Sequence, residues 1–374
     1  MASLGFRRLR TGSSLSLAGI LVVLLALWMG HAAAAVSVVC YSVADDGNGS
    51  GSGQDSGAED LLTRIDPADH DPATNEDSIG SGTGTFNVEA STFDPGTDDL
   101  FAVDADQLGR VNITTGVFTA KPSSFGSGSG SAGTIAFSDV DSITFDPSTG
   151  ILYGGARVVG EDPDVLFQID PATGAHVDSA FGPGEDYVQV TPLANESRLD
   201  DLAMDFDGTL YAISNIGGHE DHLVTIDPET GALSDVGPTN VNDMEGLSIA
   251  PDGRLFGTTG QESSSGSALW DIDKESGAAT NPRALDNAND YESVACLAEG
   301  SPEPSPSPSV SVIPTGTETS EPPEAPSVSP TVSATVGGVK VIPETGSGAV
   351  PVLFVIGLAF VVGGIAVIRL GESR

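Results

Sequence analysis

Five acidic residues recur at one register of a repeating pattern: Glu89, Asp141, Asp200, Glu245 and Glu292. Carboxylates are hard oxygen ligands, and several brought to one place suit Ca²⁺ or Mg²⁺. The same residues could instead accept backbone N–H groups and staple one repeat to the next, a role that also needs one acid per repeat. His219-Glu-Asp-His222 is the only closely spaced histidine pair. Beside its carboxylates it could hold a transition metal, although on a loop that spacing also fits solvated polar residues. His70 and His176 read as lone turn or strand residues. There is no Ser-His-Asp set in a recognisable local context and no Gly-x-Ser-x-Gly elbow, so no catalytic residue is assigned. Phosphate loops, dinucleotide fingerprints and zinc fingers are absent too.

The elements that must position the acids are hairpins. Asp243-Met-Glu-Gly-Leu-Ser-Ile-Ala-Pro-Asp-Gly-Arg-Leu-Phe256 is an acidic start, an apolar run, a tight turn and a second apolar run. Asp139 to Tyr153 and Leu199 to Tyr211 repeat it, and Val88 to Phe101 does so less closely. Asp290 to Cys296 is a half-copy with no second strand after it. Two more strands follow each hairpin, joined by turns such as Gln168-Ile-Asp-Pro-Ala-Thr-Gly174 and Thr225-Ile-Asp-Pro-Glu-Thr-Gly231. In these turns Asp bonds back to the backbone, Pro presets φ and Gly accepts positive φ.

Four-stranded units at a period of roughly 45–60 residues are the signature of a β-propeller. The pattern predicts an all-β, five-bladed propeller over residues 36–298, closed by strands from both termini. Val38 to Ala44 and Leu61 to Asp66 supply strands b and c of the first blade. Tyr291 to Leu297 supplies its innermost strand a from the far end. The alignment sets Cys40 in the column of Leu100, Leu152, Leu210 and Leu255. It sets Cys296 in the column of Phe93, Phe145, Met204 and Ile249. These columns face each other across the a–b hairpin, which predicts a Cys40–Cys296 disulfide. Because strand a lines a propeller's channel, the five acids should ring one mouth of it. Gly47 to Gly57 and Ser123 to Gly133 read as mobile surface insertions without packing value.

The net charge of −39, from 53 acidic against 14 basic residues, excludes a nucleic acid partner. It favours solubility, divalent cations or basic partners. Residues 1–35 read as a signal peptide, with Arg7, Arg8 and Arg10 before an apolar run and an Ala-rich cleavage site. The exported part then lies where disulfides persist. Residues 299–341 alternate Pro with Ser, Thr, Val and Glu, and predict a disordered, extended stalk of roughly 120 Å at ~3.1 Å per residue.

Residues 342–374 carry Ile342-Pro343-Glu344-Thr345-Gly346, an apolar stretch over 349–368 and a short tail with Arg369 and Arg374. About 20 apolar residues in a helix span a bilayer, so a plain transmembrane anchor is one reading. The arrangement also resembles the cell-wall sorting signal of Gram-positive surface proteins, with Ile342 where Leu is usual. The resemblance implies that a sortase cleaves between Thr345 and Gly346 and joins Thr345 to peptidoglycan, with the membrane holding the segment until then. Glu245-Gly-Leu247 followed by Asp252-Gly253 and Leu255-Phe256 is similar to secreted propellers of the lactonase-like and esterase-like phytase group. That likeness implies a fold shared by many functions. The expected function is a surface-displayed binding or adhesion module for a glycan or protein. The alternative is a metal-dependent hydrolase, esterase- or lactonase-like, working at the channel mouth.

Overall fold

The computed structural model describes residues 36–45, 59–158, 163–192, 198–215, 220–261, 263–286 and 290–300. All of them lie in the first of two compact units, Met1–Ser309. The expected signal peptide, the Gly47 to Gly57 loop, the stalk from residue 301, the sorting signal and the apolar segment over 349–368 fall outside the described residues.

The described chain is all strand and turn, in five antiparallel sheets plus one extra hairpin. Strands b, c and d of the first blade are β1 (Val38–Asp45), β2 (Leu61–Ile65) and β3 (Glu76–Ile79). The second blade is β4 (Val88–Phe93), β5 (Leu100–Asp104), β6 (Gln107–Val111) and β7 (Phe118–Ala120). A hairpin, β8 (Ser127–Gly130) and β9 (Gly133–Ala136), precedes the third blade. That blade is β10 (Val140–Phe145), β11 (Leu152–Ala156), β12 (Val165–Ile169) and β13 (Tyr187–Gln189). The fourth is β14 (Arg198–Met204), β15 (Leu210–Asn215), β16 (His222–Ile226) and β17 (Leu233–Pro238). The fifth is β18 (Met244–Ile249), β19 (Leu255–Thr259), β20 (Ala268–Ile272) and β21 (Ala279–Ala284). Finally β22 (Asp290–Tyr291) and β23 (Ala295–Ala298) return to pair with β1 and supply strand a of the first blade.

Burial follows position in the blade. The inner strand β10 is buried at every residue, whereas the outermost strands β3 and β7 carry exposed positions. Inner strands are covered on both faces by neighbouring blades, so their sequences are near-continuous apolar runs interrupted by small polar residues. Strands β23, β4, β10, β14 and β18 each pack on the next, and β18 packs back on β23. The five-bladed propeller is therefore closed, and no inner strand is left as an open edge.

The predicted registers hold. Phe93 faces Leu100, Phe145 faces Leu152, Met204 faces Leu210 and Ile249 faces Leu255. Cys296 faces Cys40, and the two are disulfide-bonded with Cα atoms 4.0 Å apart.

The Asp-Pro turns do more than reverse the chain. Asp170 accepts the Ala172 N–H at 2.9 Å and the Thr173 hydroxyl at 2.8 Å. Gly231 closes the equivalent turn in the fourth blade at φ 74°. A Cβ there would lie 2.3 Å from the carbonyl oxygen of Gln189 in the third blade. Glycine thus serves both the turn and the approach of one blade's backbone to the next.

Two expectations need correction. Strand a of the first blade is interrupted at residues 292–294, between β22 and β23. Ser123 to Gly133 is not an unpacked insertion. Phe125, inside it, and Phe137, four residues beyond it, are fully buried, and Phe137 stacks on Phe167 with centroids 4.1 Å apart. A Cβ on Gly128 would meet the Phe137 ring at 2.6 Å, and one on Gly130 the Tyr187 ring at 2.8 Å. The Gly-Ser alternation is a strand with period two. Its glycines lie against aromatic rings, and its serines occupy the other face.

Candidate cation-binding channel mouth

The five sequence-predicted acids sit where the a–b pairing breaks register. The shift falls between Val88 and Ala90, between Val140 and Ser142, and between Met244 and Gly246, skipping Glu89, Asp141 and Glu245 in turn. In the fourth blade it skips Asp200 and Asp201 together. Glu292 occupies the gap between β22 and β23. A bulge leaves its extra residue out of the ladder and re-aims the side chain. Here it takes Glu89, Asp141, Asp200 and Glu245 out of the ladder of their strands.

The acids form two arcs. In the first, oxygens of Glu89, Asp139 and Asp141 lie within 4.8 Å of one another. Arg157, immediately after β11, closes this arc. Its Nε is 2.5 Å from Asp141 Oδ2 and its Nη2 is 2.5 Å from Asp200 Oδ1. Asp141 and Asp200 are buried, at 4 % and 5 % exposure. Burial raises the Asp200 pKa to about 6, and the Arg157 charge opposes the rise. Asp141 is pushed well up by burial and by its hydrogen bond with Glu89, again against Arg157. The paired carboxylates hold Arg157 in its charged form despite its partial burial.

The second arc is Asp243, Glu245 and Asp290, whose oxygens also lie within 4.8 Å of one another. Burial pushes the Glu245 pKa well up, reinforced by the charges of Glu292, Asp290, Asp243 and Asp200. Glu245 Oε2 is buried and has no hydrogen-bond partner among the described residues. Asp290 Oδ1 accepts the Gln261 N–H at 2.8 Å. Gly260 makes room for the arc, since a Cβ there would lie 2.4 Å from Glu245 Oε2 and 2.2 Å from Asp290 Oδ1.

Stapling between blades is carried by another column. Asp60 accepts the Val88 N–H at 2.8 Å, Asp164 the Leu199 N–H at 2.9 Å and Asp221 the Met244 N–H at 2.8 Å. Each joins strand c of one blade to strand a of the next, and all three are fully buried. Asp201 adds a fourth staple, accepting the Leu247 N–H at 2.7 Å. The sequence reading missed these residues. Their signal was an aspartate six positions before the turn acid, as in Asp60 and Asp66, Asp164 and Asp170, and Asp221 and Asp227.

The histidines are not brought together as a metal site. His219 lies outside the described residues, and His222 is on strand β16, not in a loop over the mouth. Its Nδ1 is 2.9 Å from Asp235 Oδ1. His176 lies within reach of Asp178 and Asp186. Its Nδ1, however, is 2.6 Å from the Phe125 carbonyl, and Asp186 accepts the N–H groups of Ser129 and Ser179. That cluster fastens the β8–β9 hairpin to the third blade.

No family model and no curated protein match the chain. Among solved structures it is similar to a chain of a nidogen/laminin complex, at 11% identity and TM-score 0.43, covering 69% of this chain and 98% of that one. It is similar to TolB from Acinetobacter baumannii, at 12% identity and TM-score 0.39, covering 70% and 66%. It is also similar to the PQQ-bound aldose sugar dehydrogenase of Streptomyces coelicolor, at 19% identity and TM-score 0.33, covering 55% and 62%. The chain's own sheet order and ring closure make it a five-bladed β-propeller.

Proposed function

We propose that this propeller is an exported, surface-displayed binding module that holds Ca²⁺ on the Asp243–Glu245–Asp290 arc and engages a glycan or protein through it. The observation that supports this reading is the gathering of three carboxylates around a glycine-made space, with the buried Glu245 Oε2 lacking a hydrogen-bond partner. A hard divalent cation suits such a set of oxygens. Coordination positions facing the solvent would remain for ligand oxygens.

Titrating Ca²⁺ into the full chain should raise its melting temperature progressively. Stabilisation should reach about 2.7 kcal/mol at a hundredfold excess over Kd. Glu245→Gln should remove that response without unfolding the domain. A melting curve unmoved by Ca²⁺ sinks the cation reading. Glycan and protein arrays with and without Ca²⁺ then seek the partner, and turnover of an ester panel by the Ca²⁺-loaded protein would replace the binding reading with the hydrolase.

Display rests on the sorting-signal resemblance at Ile342 to Gly346. Wall digestion, and not detergent alone, should release the protein from cells. Thr345→Ala should move it to the detergent-soluble membrane fraction. Extraction of the unaltered protein by detergent alone leaves a plain membrane anchor.

A further inference from the structure

The end of the channel opposite the acidic mouth holds a cavity of about 280 Å³. Its wall is the column that closes each strand a: Phe93, Phe145, Met204, Ile249 and Cys296, one residue from every blade. From Glu89 to Phe93 is roughly 13 Å along the strand, so the cavity and the acidic arcs are separate places. Phe206 also lines it and is 56 % exposed. Asp94 and Asp98 also line it. The charges of Arg110 and Lys121 reach Asp94, Asp94 Oδ1 accepts the Gly96 N–H at 2.8 Å, and Asp205 and Asp252 are occupied by Lys274 and Arg254 at 2.7 Å each.

We propose that this apolar well within an acidic collar is a second ligand site, and that it takes a small organic cation: an aromatic or branched aliphatic body of about a dozen non-hydrogen atoms bearing one ammonium group. The body removes the Phe93, Phe145 and Met204 surfaces from water. The ammonium meets the Asp94 and Asp98 carboxylates and the face of the Phe206 ring, where a cation is attracted by the π electrons. An anion of the same shape gains the apolar contacts and is repelled by the collar. The site is independent of Ca²⁺ and of the second arc, so either can fail alone.

The test uses the full chain labelled at its methionine methyl groups, with Met204→Leu assigning the Met204 signal. Met204 lies in the cavity wall, while Met244 is at the start of strand β18, near the acidic mouth. Phenethylammonium is titrated against 3-phenylpropionate, a carboxylate with a similar body. The expected result is a saturating shift of the Met204 methyl with phenethylammonium and at least tenfold weaker binding of the carboxylate, equal to 1.4 kcal/mol. Ala298→Trp, which fills the cavity from its rim, should abolish the shift while circular dichroism and melting temperature show a folded domain. If that variant does not fold, Phe206→Ala, at the exposed rim, should weaken phenethylammonium binding in its place. Glu245→Gln should leave binding unchanged. No Met204 shift, equal binding of the two probes, or a shift confined to Met244 overturns the proposal.

Discussion

Opening the Cys40–Cys296 disulfide is expected to destabilise the propeller by about 3–5 kcal/mol. The bond closes a separation of 256 residues, nearly the whole described domain. In the chain-entropy account, a cross-link over so long a loop removes more freedom from the unfolded chain than any short one. It also sits at the single point where the ring is shut by segments from the two ends, β1 and β23. Without it, closure rests on the hydrogen-bonded ladder between those strands and their packing on β4 and β18. Cys40 and Cys296 are both buried, so a Cys40→Ala/Cys296→Ala double variant avoids stranding hydroxyl groups and leaves only small voids. The measurement is urea unfolding of the oxidised, reduced and double-alanine proteins. The midpoint should fall sharply in the last two, with a steeper denaturant dependence because the unfolded chain is more expanded. Equal midpoints would show that strand pairing alone closes the ring.

The architecture was legible in the sequence because a tight turn fixes the register of each hairpin. Asp-Pro and Asp-Gly turns leave one pairing for the strands they join, which sets Phe93 opposite Leu100 and Ile249 opposite Leu255. The alignment extended to the split blade and so to the disulfide. Three features were not legible, each for a different reason. The Gly-Ser run of β8 has the composition of a linker. Only the presence of Phe137 and Tyr187 against its glycines shows that small size was the requirement. The staples Asp60, Asp164 and Asp221 lie outside the hairpin that defined the repeat, and one repeat has Ser267 at that position. Arg157 belongs to no column at all. Its partners Asp141 and Asp200 are 16 residues before it and 43 after it, in different blades, and the packing of β14 on β10 brings them together. The recurrence of one acid per repeat was legible, but the joining of Asp141 and Asp200 through that single guanidinium was not.

Arg157→Gln should cost about 3 kcal/mol at pH 8 and much less at pH 5. Removing one partner of a buried ion pair is worth roughly 3–5 kcal/mol. The lower end applies because the Arg157 side chain is 37 % exposed and water screens part of its charge. The pH dependence follows from what remains. Asp200 and Asp141 already titrate above the ordinary carboxylate range with Arg157 in place, Asp200 at about 6. Loss of the guanidinium raises both further. A carboxyl whose folded pKa lies above its unfolded value of about 4 favours the folded state when protonated. That contribution is complete below the unfolded pKa and is lost as pH rises through the folded one. The unaltered protein should therefore gain stability as pH falls from 8 toward 5, and the variant should gain more, so the two curves converge on the acid side. A gap that does not change with pH would assign Arg157 a packing role through its aliphatic stem. Ca²⁺ separates the cases further. If the guanidinium is the built-in counter-ion of the first arc, Glu89, Asp139 and Asp141 in Arg157→Gln become a cluster without that counter-ion. Ca²⁺ should then restore part of the lost stability at pH 8 and little at pH 5, where protons already do the same work.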